Sequence, residues 1–156
     1  MHSPDPAFVG LSDQLLLAAL LYGEARGVSD EALAAVACSV RNRTTSGKWF
    51  GGTWAEVILR WAQYDALWPT MGGGNFLSTR AFALRAKRLD YQPTANEQRV
   101  LNFASSCVTG KPGMIEDPTD GATHYYDESV RPPAWTVPPA RETFVLDKLH
   151  FFAGVN

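Results

Sequence analysis

The sequence predicts a mainly helical single domain that carries a small β element near its end. Three observations predict it. Up to Gly110, apolar residues recur at helical spacing, punctuated by capping residues and glycines. From 111 to 141 the chain turns rich in proline, glycine and aromatic residues, and ATHYY at 122–126 reads as a short strand. The length of 156 residues, 46% of them hydrophobic, suits one compact domain with its own core. We read residues 1–10, with Pro4 and Pro6, as an extended lead-in and 11–156 as the domain.

Helix one is expected from Ser12, as N-cap, to about Arg26, with Gly27 as its stop. It is apolar nearly all round, with Leu15, Ala18, Ala19 and Tyr22 on one stripe and Leu17, Leu20 and Leu21 on another. Such a helix belongs at the centre of a domain. Helix two is expected from Asp30 to about Thr44, where Leu33, Val36, Ala37 and Val40 give the spacing and Arg41 and Arg43 suit the C-terminal end. A third helix is expected from Trp54 to about Trp61, opened by a Thr53/Glu56 capping box. MGGGN at 71–75 reads as a flexible loop, followed by a fourth helix over about 77–89. A fifth is opened by Thr94 and Glu97 as a second capping box and ends at Gly110. FVLDKLHFF at 144–152 is weakly strand-like, and Pro132, Pro133, Pro138 and Pro139 stiffen the segment before it.

A net charge of -2 disfavours a nucleic-acid partner. The most apolar run, LLLAALLY at 15–22, is too short to span a bilayer, so no stable membrane insertion is expected. The leader MHSPDPAFVG has no Lys or Arg, so no cleaved signal peptide is expected. Cys38 and Cys107 sit in apolar helical stripes and read as buried reduced thiols. Three histidines are too few and too scattered to indicate a metal site, and no cofactor is expected.

Glu24 is the residue that points to chemistry. It shares a helix face with Leu17, Leu20 and Leu21, so it extends an apolar stripe. At a domain edge it would be solvated, or paired with a neighbour such as Arg26. In a cleft wall, desolvation would raise its pKa and fit it to donate a proton near neutral pH. Periodicity leaves both open.

The run YGEARG at 22–27 resembles the signature of the SleB-like cell-wall hydrolases, a family that includes spore-cortex-lytic enzymes and phage endolysins. Other segments resemble that family in the same order: AVACSVRNR at 35–43, WAQYDALW at 61–68, GATHYYDESVRPPAW at 121–135 and LHFF at 149–152. The resemblance implies a lysozyme-like (α+β) fold related to lytic transglycosylases. It implies cleavage of the β-1,4 bond between N-acetylmuramic acid and N-acetylglucosamine in bacterial peptidoglycan. The catalytic glutamate of the family falls on Glu24, its Gln-aromatic pair on Gln63 and Tyr64, and its His-Tyr pair on His124 and Tyr125. Two positions depart from the pattern. Val28 stands where a second acid is frequent, and Asp65 stands where serine is frequent, which makes Asp65 a candidate second carboxylate.

For such a substrate, Tyr64, Tyr125, Tyr126 and Trp135 are candidate sugar-stacking walls and Gln63 an amide partner. Trp49, Trp54, Trp61 and Trp68 are assigned to the core or its edge, and His150 to structure. A zinc amidase is disfavoured for want of ligands, and a cysteine peptidase by the mid-helix setting of both thiols. A non-catalytic glycan-binding or virion module stays open. The expected setting is a monomer made in the host cytoplasm that reaches the wall through a holin or another release route.

Overall fold

The computed structural model describes residues 2–24, 27–110 and 116–156. They form five α-helices and a small antiparallel sheet, an α+β fold in a single compact domain. Arg26, both as the expected end of helix one and as a partner for Glu24, lies outside the described residues, as does segment 111–115.

Helix α1 (Asp13–Glu24) is the hub. Leu16 to Leu21 are all buried, and α5, α4, α3 and α2 pack around it. A helix that is apolar on every side gains from burial all round, at roughly 25 cal/mol per Å² of apolar surface removed from water. Helix α2 (Asp30–Thr45) starts at Ser29, whose side chain accepts from Ala32 N–H. Helix α3 (Trp54–Ile58) has the expected reciprocal capping box, but it stops short of Trp61.

Helix α4 (Pro69–Ala86) departs most from the sequence expectation. The triple glycine is not a loop; it lies inside this helix, which kinks at Gly73 (φ 50°, ψ -125°), a conformation that only glycine adopts without strain. Pro69 fits the first turn, where a missing N–H costs nothing. Helix α5 (Ala95–Thr109) runs from Thr94 to Gly110 as expected, but its second capping box is half-formed. Thr94 accepts from Glu97 N–H, while the buried Glu97 carboxylate turns away to Arg85 (2.8 Å) and the Tyr91 hydroxyl (2.7 Å).

The sheet has the order β1-β3-β2, all antiparallel, from β1 (His124–Asp127), β2 (Arg141–Leu146) and β3 (Leu149–Ala153). The 144–152 run is thus a hairpin rather than one strand. Leu146 pairs with Leu149, and Asp147 takes a positive φ (54°) in the two-residue turn between them. β1 pairs Tyr125 with Phe151 and Tyr126 with His150, so alternate residues face opposite sides. Tyr125 packs against the main core, while Tyr126 joins Trp135, Phe152, Ala140 and Val155 in a second small cluster.

The first ten residues are not an extended lead-in throughout. Residues 6–10 form turns, Ala7 N–H is held by the Asp5 carboxylate at 2.8 Å, and Phe8 is fully buried in the main core beside Phe76. His2 stacks on Trp61 with ring centres 3.5 Å apart. An isolated Phe in a proline-containing stretch carries no periodicity, so its burial left no local signal. Phe8→Ala is expected to cost about 3–5 kcal/mol of unfolding free energy. Urea titration followed by circular dichroism measures it, and an unchanged midpoint would refute a core role for the lead-in.

Candidate active site

Glu24 occupies the last turn of α1, where the helix emerges from the core. It is half-buried and lines a cavity of about 290 Å³ together with Arg43, Gln63, Tyr64, Asp65, Tyr125 and Tyr126. Six residues anticipated from sequence are thereby brought to one cleft: Glu24, Gln63, Tyr64, Asp65, Tyr125 and Tyr126. His124 and Trp135 line an adjoining cavity of about 250 Å³, which shares Arg43, Gln63 and Tyr125 with the first.

The backbone beside Glu24 is set by close packing. The 3-10 turn Asp65–Leu67 is pressed between α1 and α4. A Cβ on Gly23 would lie 2.5 Å from Ala66 Cβ, and would also collide with Thr79. A Cβ on Gly72 would lie 2.9 Å from Phe76 Cβ and 3.1 Å from Ala66 Cα, and would strike the Asp65 carbonyl. Two glycines thus admit the turn, and the turn delivers Ala66 N–H to Glu24 Oε1 at 2.9 Å.

The electrostatics of Glu24 are divided. Burial pushes its pKa up to about 6 from 4.5, and the Asp65 charge pushes the same way. The Ala66 N–H and the Tyr125 hydroxyl oppose this by favouring the carboxylate. Tyr125 Oη is itself buried and makes no hydrogen bond of ordinary geometry, so it is a donor held ready beside the acid. Burial holds the Tyr125 hydroxyl well above the usual tyrosine range and raises that of Tyr64 to about 12, so both rings stay neutral. Asp65 is exposed, and partial desolvation raises its pKa as well.

Arg43 is the residue that sequence reasoning passed over. It was assigned to the end of helix two as a dipole partner, yet it is 5% exposed. Its Nε donates to Thr123 O at 2.6 Å and one terminal nitrogen donates to Gln63 Oε1 at 3.0 Å. Its guanidinium lies 4.9 Å from the Phe50 ring centre and 5.3 Å from that of Tyr64. Asn42 beside it donates to Ala122 O and to Asp117, each at 2.9 Å. The end of α2 therefore clasps the entry to β1 and orients Gln63, leaving the amide N–H groups of Gln63 as donors.

His124 is buried, and burial, with Arg43 and Lys48 nearby, lowers its pKa to about 3. It is a neutral imidazole paired with Thr123 Oγ1 at 3.0 Å, packed between Phe50 and Trp135. His150 sits on the far side of the sheet between Glu142 (2.9 Å) and Glu128 (3.1 Å). Of the four remaining tryptophans, Trp68 is buried and Trp54 half-buried, while Trp49 and Trp61, 47% and 38% exposed, lie at the core's edge against Phe50 and Trp68. Cys38 and Cys107 are buried free thiols, which donate to Glu116 O at 3.7 Å and to Ala37 O at 3.6 Å. Among the described residues no group of three or more His, Cys, Asp and Glu side chains is placed to hold a metal ion, and no helix is long and apolar enough to cross a membrane.

No protein-family model matches this chain, and no curated protein and no solved structure matches it either.

Two predictions follow from this geometry. Gly23→Ala and Gly72→Ala should each lose about 1–3 kcal/mol by overpacking. Gly74→Ala, whose Cβ meets nothing within 4 Å, should be neutral or stabilising in the same thermal melts. The second concerns protons. Glu24 binds its proton more tightly folded than unfolded, so its contribution to stability is full below about pH 4.5 and is lost as pH rises through about 6. Glu24→Gln should therefore be more stable than the parent at pH 8, by up to about 2 kcal/mol, and equal to it at pH 4. A difference independent of pH would show that Glu24 is not desolvated.

Proposed function

We propose that this chain cleaves the glycan strand of bacterial peptidoglycan at the β-1,4 bond between N-acetylmuramic acid and N-acetylglucosamine, as a lytic transglycosylase of lysozyme-like fold. The observation that carries the proposal is Glu24, a half-buried carboxyl with a pKa near 6 on the wall of a cleft. The ordered resemblance of five segments to the SleB-like hydrolases supports the choice of substrate. The α+β architecture, with one buried helix ending in the carboxyl, is compatible with the lysozyme-like fold.

The two opposed influences on Glu24 fit the two steps of such a reaction. Protonated Glu24 gives its proton to the glycosidic oxygen as that bond breaks. The resulting carboxylate is held by Ala66 N–H and faces the Tyr125 hydroxyl. It then takes the proton from the muramic 6-hydroxyl, whose oxygen closes onto the anomeric carbon to leave a 1,6-anhydro end. The nucleophile belongs to the substrate, so its effective concentration is high without a positioned water. Gln63 supplies amide donors to acetamido or hydroxyl groups. We extend the proposal to a setting of bacterial lysis, in which a monomer works on the wall after release from the cytoplasm.

One observation favours hydrolysis instead. Asp65 lines the same cavity, and its charge reaches Glu24. A muramidase would use it as the base that activates water.

Mass spectrometry of digested peptidoglycan separates the two: anhydromuramic ends for transglycosylation, reducing muramic ends for hydrolysis. Glu24→Gln should lower turnover by about 10³-fold or more while leaving the fold intact. Full lytic activity in that variant would end the proposal. For a transglycosylase, Asp65→Asn should keep turnover within about threefold and move the alkaline limb of the pH profile downward, because a charge that raises the Glu24 pKa is gone. For a hydrolase, the same change should cost about 100-fold or more.

A further inference from the structure

The cavity beside the Glu24 cleft has a chemistry of its own. Its lining includes Arg43, Trp49, Gln63, His124, Trp135 and Asn156, and no lining side chain is acidic. The Glu24 cleft, in contrast, is lined by Glu24, Asp65 and Asp127. The two cavities share Arg43, Gln63 and Tyr125, so a chain-like ligand in one continues into the other.

Arg43 makes the second cavity specific. It is 95% buried, and it meets a carbonyl, an amide oxygen and two aromatic faces, all neutral. Among the described residues no carboxylate forms an ion pair with it. Burying a guanidinium without a counter-charge is costly unless an anion completes it. Two further cations lie close. Arg60 sits 5.2 Å above the Trp49 ring, and the Lys48 charge reaches His124 while its ammonium bonds Val155 O at 2.7 Å. His124 stays neutral, so it adds no charge and can serve as a wall. Trp49, 47% exposed, offers an apolar surface at the rim.

Resting on the glycan substrate proposed above, we infer that this cavity is an anion subsite: Arg43 receives a carboxylate carried by the muramyl unit, and Trp49 and Trp135 flank the sugar that bears it. The subsite fixes the register in which the strand lies across Glu24, because only every second sugar, the muramyl one, carries the acid. It also selects an acidic strand over a neutral polymer of N-acetylglucosamine. Carboxylates on the lactyl group and on the stem peptide share this chemistry.

The test uses the full chain carrying Glu24→Gln, so that ligands bind without being cut, with tryptophan fluorescence as the readout. Four ligands are compared: peptidoglycan strands with stem peptides, strands stripped of peptide to expose lactyl carboxylates, the same stripped strands with carboxylates converted to amides, and neutral chito-oligosaccharides of equal length. Stripped strands should bind about tenfold or more tighter than their amidated form, and added salt should shrink that gap. Tight binding only with peptides present would place the carboxylate on the stem and still support the anion subsite. A second variant, Arg43→Gln, should erase the difference between stripped and amidated strands, and circular dichroism shows whether it folds. Trp49→Ala should weaken stripped strands while leaving the fold unchanged, which keeps the test decisive if Arg43→Gln does not fold. Equal affinity for native and amidated strands overturns the inference. If equal affinity is found while the unmodified protein still cuts peptidoglycan, the cleavage proposal stands and the anion subsite alone falls. Absence of binding to any glycan, together with absence of cleavage, overturns both.

Discussion

The candidate site depends on how closely one short turn approaches the central helix. Asp65–Leu67 can lie against α1 only because Gly23 has no side chain, and against α4 only because Gly72 has none. From that contact comes the hydrogen bond from Ala66 to Glu24, the partial desolvation of the carboxyl and the presence of Asp65 beside it. Packing of this kind has little slack, since cores are as dense as organic crystals. The chemistry of Glu24 is thus a result of backbone placement more than of any catalytic partner.

A second constraint acts from the opposite wall. Arg43 ties the end of α2 to the start of β1 through Thr123 O, and Asn42 does so through Ala122 O. β1 carries Tyr125 toward Glu24 and Tyr126 toward the second cluster, because neighbouring strand residues face opposite sides. The sheet is small, yet it sets the position of one wall of the cleft. The helical layer sets the other, and the two meet at the guanidinium.

Much of the helical framework was legible. Ser12, Thr53 and Thr94 cap the helices that their positions announced, and the uninterrupted apolarity of 15–21 marked the central helix. Glu24 stood out because a carboxylate extended an apolar stripe. Features set by tertiary contact were not legible. Three successive glycines read as a loop, since propensity carries no information about Asp65 and Ala66 packing onto Gly72. Arg43 looked like a helix-end cation, for the same reason that any basic residue there would. Its burial is visible only once β1 and the 60–68 segment fold against it. Phe8 lay outside any periodic pattern, and the Asp147–Lys148 turn was masked by apolar residues on both sides.

The location of Glu24 in the last turn of α1 has one further consequence. Peptide dipoles along a helix sum to a partial negative charge at its C-terminal end, which disfavours an added anion there. The last turn of the central helix therefore opposes ionisation of its own terminal carboxyl. The core helix acts as a fixed electrode aimed at the cleft, in addition to being its scaffold.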